Sequence, residues 1–186
     1  MIKTRKDLKY YLQEDAKRNG IKSYSDYIIC LLVGTENAHA FQYIRALRHC
    51  EYHINNKGVF HKLFSFYYKY RLLKLGAKYL IKISPNVAGY GLRIIHLSGG
   101  GGLRIGAAKV GNYCGFNSGV LIGTTDLEDS RPTIGNNTAF GPGAKAFGNI
   151  TIGNNVFVAP NAVVTKDVPD NAIVGGVPAK ILKYKE

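Results

Sequence analysis

The chain has 186 residues, 46% of them hydrophobic, and a formal net charge of +13. This length supplies one buried core, with or without a helical appendage, so the fold needs no disulfide. The odd cysteine count (Cys30, Cys50 and Cys114) and the lack of a CxxC motif predict free thiols. The charged N-terminus and the short early apolar runs argue against secretion and membrane spans, so we expect a cytoplasmic protein.

The first 82 residues form the predicted N-terminal helical region. Apolar residues recur there at helical spacing up to about Leu80, which indicates three or four α-helices. Glycines and serines of this region are typical of helix ends. The expected turns or caps are Gly20, Gly34 and Gly58, with Ser23 or Ser25 capping the second helix.

Residues 57–82, here called the basic aromatic band, combine seven Lys or Arg side chains with seven Phe or Tyr side chains and no acidic one. Such a surface fits a phosphate-bearing cofactor, an anionic membrane or nucleic acid. It is compatible with an RNA-binding or membrane-surface helix. Packing inside the protein is the more common role of aromatic residues at helical spacing, and we weight it higher.

After Pro85 the glycine content rises and apolar residues recur with a period of six. The longest unbroken series is Ile134, Phe140, Ala146, Ile152, Val158 and Val164. A period of six fits neither a helix nor a single strand, and it is satisfied by three short strands per coil around a triangular prism. Asn136-Asn137 and Asn154-Asn155 stand where the prism corners belong, because asparagine tolerates positive φ. We assign residues 83–186 to this domain.

The chain resembles the hexapeptide-repeat acyltransferases, most specifically in residues 163–169 (VVTKDVP) and 176–180 (GVPAK). The resemblance covers roughly residues 83–183. It implies a mainly β fold, namely a left-handed parallel β-helix preceded by a small α-helical region. It also implies a homotrimer that binds acetyl-CoA between neighbouring prisms, and no metal. The handedness comes from the family, since spacing alone does not determine it.

Residues 91–100 are similar to the serine acetyltransferase branch and its relatives in polysaccharide gene clusters, where a histidine at the place of His96 is the catalytic base. An acceptor hydroxyl needs such a base before it attacks a thioester. His96 is the one histidine in the predicted β-helix. A lone histidine is more often structural, but its place in the motif favours catalysis.

The sequence departs from serine acetyltransferases at several positions. Ile95 and Lys82 stand where those enzymes have carboxylates, and a loop that carries a second histidine there contains Arg131 here. Arg131 is expected to bind a carboxylate of the acceptor. Asp126 and Asp129, like Glu128, are candidates for orienting His96 or binding acceptor hydroxyls, and a solvated loop is the plainer interpretation.

Six residues stand at the CoA-contacting positions of related sugar O-acetyltransferases, and the resemblance therefore implies that they bind CoA. Small residues let a pantetheine arm lie close to the prism, and lysines suit its phosphates. These residues are Gly141, Ala159, Thr165, Lys166, Lys180 and Lys183.

The leading hypothesis is therefore an acetyl-CoA-dependent O-acetyltransferase that acts on a sugar or polysaccharide-precursor hydroxyl. The enzymatic alternative is serine O-acetylation. The non-enzymatic alternative is a scaffold, or a nucleic-acid- or membrane-binding protein that uses the basic aromatic band. We expect a small-molecule or glycan acceptor and no nucleic acid, and a peripheral contact with anionic membrane stays open.

Overall fold

The computed structural model describes residues 1–97, 101–124 and 130–186. The chain begins with four helices: α1 (Arg5–Arg18), α2 (Tyr24–Val33), α3 (Glu36–Ile54) and α4 (Val59–Tyr79). The prediction of three or four helices is confirmed. No helix among the described residues is long and apolar enough to cross a membrane.

The helix ends follow the local chemistry that the sequence predicts. Ser23 caps α2, since its hydroxyl accepts a hydrogen bond from the backbone N–H of Asp26 at 3.1 Å. Gly34 ends α2 in the left-handed region with φ 83°. Gly20 and Gly58, with φ 75° and 121°, lie in the turns before α2 and α4. Glycine adopts these conformations readily because it has no Cβ atom that could clash with the backbone.

The rest of the chain forms a parallel β-solenoid of short strands. They are β1 (Ile81–Ile83), β2 (Arg93–Ile95), β3 (Leu103–Ile105), β4 (Lys109–Val110), β5 (Gly115–Asn117), β6 (Leu121–Gly123), β7 (Thr133–Ile134), β8 (Ala139–Phe140), β9 (Lys145–Phe147), β10 (Thr151–Ile152), β11 (Phe157–Val158), β12 (Val163–Val164), β13 (Ala172–Gly175) and β14 (Lys180–Tyr184).

These strands stack into three sheets, one for each face of the prism. The first sheet has the order β1-β3-β6-β9-β12, the second β4-β7-β10, and the third β2-β5-β8-β11-β13-β14. All pairs are parallel except β13 with β14. The apolar series of period six points inward and is buried throughout. The predicted architecture of helical region plus parallel β-helix is thus confirmed, and β1 begins two residues before the boundary drawn at residue 83.

The corners of the prism repeat an asparagine contact. Asn137 and Asn155 have φ of 54° and 55°, as the asparagine pairs predict. The residue before each of these also makes a repeated contact. The side-chain oxygen of Asn136 accepts a hydrogen bond from the backbone N–H of Asn112 at 2.8 Å, and the side-chain oxygen of Asn154 accepts one from the backbone N–H of Asn136 at 2.8 Å. Asp170 ends the series by accepting from the N–H of Asn154 at 2.7 Å. Each side chain thereby satisfies a backbone donor of the coil before it.

The helical region shares one hydrophobic core with the start of the solenoid. Ile44 and Leu47 of α3 lie in the same buried cluster as Ile83, Leu92 and the repeat residues. The hydroxyl of Tyr43 accepts from the backbone N–H of Ile83 at 2.9 Å. Burial raises the pKa of Tyr43 to about 12, so this hydroxyl stays neutral. The helices are therefore packed onto the prism rather than attached by a linker.

A buried polar network around Arg48 of α3 fixes this junction. Its Nε lies 2.7 Å from Asp15 Oδ2 in α1, and its Nη1 lies 3.0 Å from Glu51 Oε2. The same guanidinium donates to the carbonyls of Ala88, at 2.8 Å, and Gly89. Arg48 and Asp15 are fully buried and Glu51 nearly so. One cation thus joins two helices to the turn that enters β2.

Both carboxylates of the network have further partners in the chain. Asp15 accepts from the backbone N–H of Leu92 at 2.8 Å, and Glu51 accepts from that of Asn86 at 2.8 Å. Burial lowers the pKa of Arg48, but Asp15 and Glu51 raise it by more, and the pKa stands above its ordinary value. The guanidinium therefore stays charged, and its donors are matched by carboxylates and carbonyls.

The Arg48→Met variant tests this network. It leaves Asp15 and Glu51 buried without their cation, and breaking a buried ion pair in this way costs about 3–5 kcal/mol. We expect the free energy of unfolding, measured by urea titration with circular dichroism, to fall by that amount. The control is Arg104→Met on the exposed face of β3, for which a change within about 0.5 kcal/mol is expected. Equal stability of the two variants would contradict a structural role of the network.

Candidate active site

His96 follows directly after β2 at a corner of the prism. Its φ is 56°, in the left-handed region, and its side chain is 67% exposed. Positive φ is uncommon for residues other than glycine and is enriched at functional sites. The later coils of the third sheet have their left-handed residue one position further on, at Gly119, Gly143 and Asn161, so the φ of His96 is particular to its own corner. The effect is to turn the imidazole away from the core and towards solvent.

Glu36 lies beside His96. Its Oε2 is 4.0 Å from His96 Nδ1, a distance for charge interaction rather than a hydrogen bond. Glu36 is the first residue of α3, and its side chain is 41% exposed. Sixty residues separate Glu36 from His96, and no local motif marks it as a partner. The acids at residues 126–129, which the sequence suggests for orienting His96, lie outside the described residues, so Glu36 is an additional candidate for that role.

The contacts of α1 and α3 with β2 determine where these two side chains lie. The side-chain amide of Asn19 donates to the carbonyl of Leu92 at 2.8 Å, and its oxygen accepts from the N–H of Ile94 at 3.4 Å. Arg48 joins α3 to the carbonyls of Ala88 and Gly89. These buried contacts hold the end of α1 and the second half of α3 against β2 and the turn before it.

The third sheet aligns His96 with two of the predicted cofactor residues. Strand registers place Ile94, Phe116, Phe140, Val158 and Val174 side by side. On the four strands after β2, the residue that follows this inward-facing position lies at the edge of the sheet. These edge residues are here called the small-residue column: Asn117, Gly141, Ala159 and Gly175. His96 leaves the same edge. With strands about 4.8 Å apart, Gly141 lies roughly 10 Å and Ala159 roughly 14 Å from it along the prism axis.

The column has a packing reason of its own. A Cβ at Gly141 would lie 2.7 Å from the backbone nitrogen of Pro160, and one at Gly175 would lie 2.9 Å from Leu182 Cδ1. Glycine at residue 141 is thus required by the neighbouring coil, whether or not a cofactor binds. Ala159 is half-buried, and its N–H donates to the carbonyl of Val174 at 2.8 Å.

The four remaining cofactor candidates divide between two edges. Both Lys180 and Lys183 extend the third sheet: Lys180 pairs with Gly175 of the small-residue column, and Lys183 pairs with Ile173, two positions before the column. Thr165 and Lys166 instead follow β12 of the first sheet. All four are exposed. Within one chain, the structure brings Lys180 to the column, places Lys183 on the same strand further from it, and places Thr165 and Lys166 at another edge.

The acceptor candidates lie in the loop between β6 and β7. Leu121 pairs with Lys145, twenty-four residues on, whereas Thr133 pairs with Thr151, eighteen residues on, so this coil carries an insertion. Arg131 lies exposed at its end, after a strand of the first sheet. Asp126, Glu128 and Asp129 fall outside the described residues. Of the two positions that lack the expected carboxylates, Lys82 is exposed on β1 and Ile95 is half-buried.

Comparison with known proteins agrees with this architecture. Residues 131–166 match the family model for the bacterial transferase hexapeptide (six repeats). A serine acetyltransferase of Synechococcus elongatus is 40% identical over 106 residues, which are 55% of this chain and 42% of the relative. The matched part thus spans less than half of that enzyme.

Solved structures extend the likeness to the helices. Serine acetyltransferase from Brucella abortus has a TM-score of 0.74 at 24% identity, covering 97% of this chain and 70% of its own. The same enzyme in complex with coenzyme A has a TM-score of 0.67 at 24% identity, covering 96% and 67%. At this identity the likeness is one of fold. Residues 131–166 thus match the hexapeptide-repeat transferase model, and the chain resembles serine acetyltransferases in sequence over its second half and in fold over nearly its whole length.

Proposed function

We propose that this protein is an acetyl-CoA-dependent O-acetyltransferase with His96 as general base. The observation that carries the proposal is the shared edge of the third sheet, where His96 and the small-residue column follow strands in one register. An exposed base at the edge that also carries Gly141 and Ala159 suits a hydroxyl and a long thioester. The family match supports an enzyme over the scaffold that the basic aromatic band left open.

The proposed reaction needs one proton carrier. The imidazole takes the proton of the acceptor hydroxyl as its oxygen attacks the thioester carbonyl. The tetrahedral intermediate then collapses, the carbon–sulfur bond breaks, and the imidazolium returns the proton to the sulfur of CoA. The products are the acetyl ester and free CoA, and the base is regenerated.

The residues at the third-sheet edge fit acetyl-CoA in character. The small side chain of Ala159 leaves room for a pantetheine arm, and the exposed Lys180 and Lys183 on β14 suit its phosphates. Support comes also from the Brucella abortus serine acetyltransferase, whose structure contains coenzyme A. The thioester then extends along the column towards His96.

L-serine is the acceptor that the relatives favour. The Synechococcus elongatus enzyme, 40% identical, is a serine acetyltransferase, and this supports serine over the sugar hydroxyl that the sequence ranked first. A sugar remains the second candidate for one reason. Lys82 and Ile95 occupy positions where serine acetyltransferases carry carboxylates, so the acid that orients the histidine in those enzymes is missing at both. Release of the CoA thiol with L-serine and with a panel of sugars distinguishes the two acceptors.

We infer that Thr165 and Lys166 act on the cofactor of a neighbouring copy. They lie at the edge after the first sheet, whereas His96 lies at the edge after the third. The homotrimer implied by the resemblance places edges of adjacent prisms against each other, with acetyl-CoA between them. One complete site then takes His96 from one copy and Lys166 from the next.

The His96→Asn variant tests the catalytic role without disturbing the corner. Asparagine adopts the same left-handed conformation at residues 137 and 155, so the backbone is preserved while the base is removed. We expect kcat/KM for the acceptor to fall by about 100-fold or more, with unchanged binding of CoA in calorimetry. His61→Asn on α4 is the matched histidine control. Full turnover by the His96→Asn enzyme would eliminate this base from the mechanism.

Glu36 is proposed as the positioning residue for His96, on the strength of the 4.0 Å separation. The Glu36→Gln variant keeps the shape and removes the charge that stabilises the imidazolium during attack. We expect kcat to fall by roughly tenfold while KM for acetyl-CoA and the melting temperature stay unchanged. The control is Asn37→Ala, the exposed next residue. A variant that changes KM or stability but leaves kcat intact would show a merely structural role.

Mixing variants tests the shared site. Chains with His96→Asn and chains with Lys166→Glu are each expected to be impaired. In randomly mixed trimers, about one quarter of the sites combine an intact His96 with an intact neighbouring Lys166. Activity of the coexpressed mixture should therefore exceed the mean of the two separate variants. If it only equals that mean, both residues act within one chain.

A further inference from the structure

Helix α4, the main part of the basic aromatic band, packs through one face only. Its inward side meets α3, where Tyr68 stacks on His49 with ring centroids 4.9 Å apart and the hydroxyl of Tyr79 donates to Gln42 at 2.9 Å. None of the 21 residues of α4 is buried. Packing against α3 therefore accounts for Phe64, Tyr68 and Tyr79. It does not account for the strongly exposed Phe60, Phe66 and Tyr70.

The outward face of α4 carries a continuous apolar stripe. Its residues follow one another at alternating intervals of four and three, which keeps them on one side of a helix. They are strongly exposed: Val59 84%, Leu63 64%, Phe66 73%, Tyr70 55% and Leu73 73%. Large exposed apolar patches on a protein mark interaction sites. The stripe thus requires a partner that accepts aliphatic and aromatic side chains together.

Lysines border the stripe on both sides. At about 100° per residue, Lys62 and Lys69 lie on one flank and Lys74 and Lys78 on the other. All four are exposed, and Lys74 Nζ lies 5.6 Å from the ring centre of Tyr70. Residues 52–125 contain no Asp or Glu. The face is therefore apolar along its centre, cationic along its margins, and free of acidic side chains over the whole helix.

This arrangement disfavours two other partners. A second copy would use the stripe as a coiled-coil seam, but such seams rely on opposite charges at their margins, and here lysines would face lysines. Single-stranded nucleic acid needs aromatic platforms within a cationic groove. The centre of this face instead holds the aliphatic Val59, Leu63 and Leu73, which offer no ring to a base.

We propose that the outward face of α4 docks the protein on an anionic lipid bilayer. A helix lying in the interface buries an apolar stripe at the acyl boundary and directs flanking lysines to anionic headgroups. Tyrosine and phenylalanine suit this depth, since aromatic rings are favoured at membrane interfaces. The proposal does not depend on the acetyltransferase activity. Its consequence for an enzyme would be to hold the catalytic edge near acceptors at a membrane surface.

Cosedimentation of the full chain with vesicles tests the proposal. We expect binding to vesicles of phosphatidylcholine and phosphatidylglycerol at low salt, little binding to phosphatidylcholine alone, and loss of binding at high salt. The triple variant Lys62→Gln, Lys69→Gln and Lys74→Gln should weaken the apparent partition coefficient by about tenfold or more. The double variant Leu63→Ser and Phe66→Ser should also weaken it at low salt, although every lysine is retained.

The matched control removes three exposed lysines from α1, by Lys6→Gln, Lys9→Gln and Lys17→Gln. It has the same net charge as the first triple variant, and we expect vesicle binding close to wild type. Equal loss in both triple variants would overturn the proposal, because net charge alone would then explain binding. A smaller assembly of the Leu63→Ser and Phe66→Ser variant in sedimentation velocity, with vesicle binding unchanged, would assign the face to a second copy. Binding of single-stranded RNA without vesicle binding would likewise overturn it.

Discussion

The buried guanidinium of Arg48 is the interaction on which the arrangement of this protein depends. It lies where α1, α3 and the turn into β2 meet, and each of these elements gives it a carboxylate or a carbonyl. A charge at this depth is tolerated only with all of its partners in place. The network therefore selects one placement of the helices on the prism. The 4.0 Å approach of Glu36 to His96 is a result of that placement.

The sequence predicted the solenoid well because its cause is local and repeated. Each coil needs an inward apolar residue such as Ile152 or Val158 and a corner residue such as Asn155, and these needs recur every six positions. The same repetition allowed the end of the helical region to be placed within a few residues of β1. Helix caps such as Ser23 are equally local, since the capped N–H lies three positions away.

The Arg48 network and the proximity of Glu36 to His96 could not be predicted from the sequence, because these contacts join residues that are far apart along the chain. Asp15 contacts both Arg48 and Leu92, although Leu92 is more than seventy residues away along the chain. No local motif beside any of the three residues indicates the other two. Glu36 belongs to the first turn of a helix, where an acidic residue is expected on helix-dipole grounds alone. The cofactor residues were aligned by motif, but only the strand registers showed that Ala159 and Lys166 lie at different edges.

The strand β14 has a consequence for the solution behaviour of such a repeat. A stack of parallel coils has no intrinsic end, because its last strands expose unpaired N–H and C=O groups that another chain can extend into a filament. Here β14 reverses direction and pairs antiparallel with β13, so the parallel stack of the third sheet does not continue beyond β13. At the opposite end, α3 covers the first coil through Ile44 and Leu47. The protein thus interrupts the parallel repeat at both ends of its prism, which disfavours end-to-end polymerisation and favours assembly through the lateral faces.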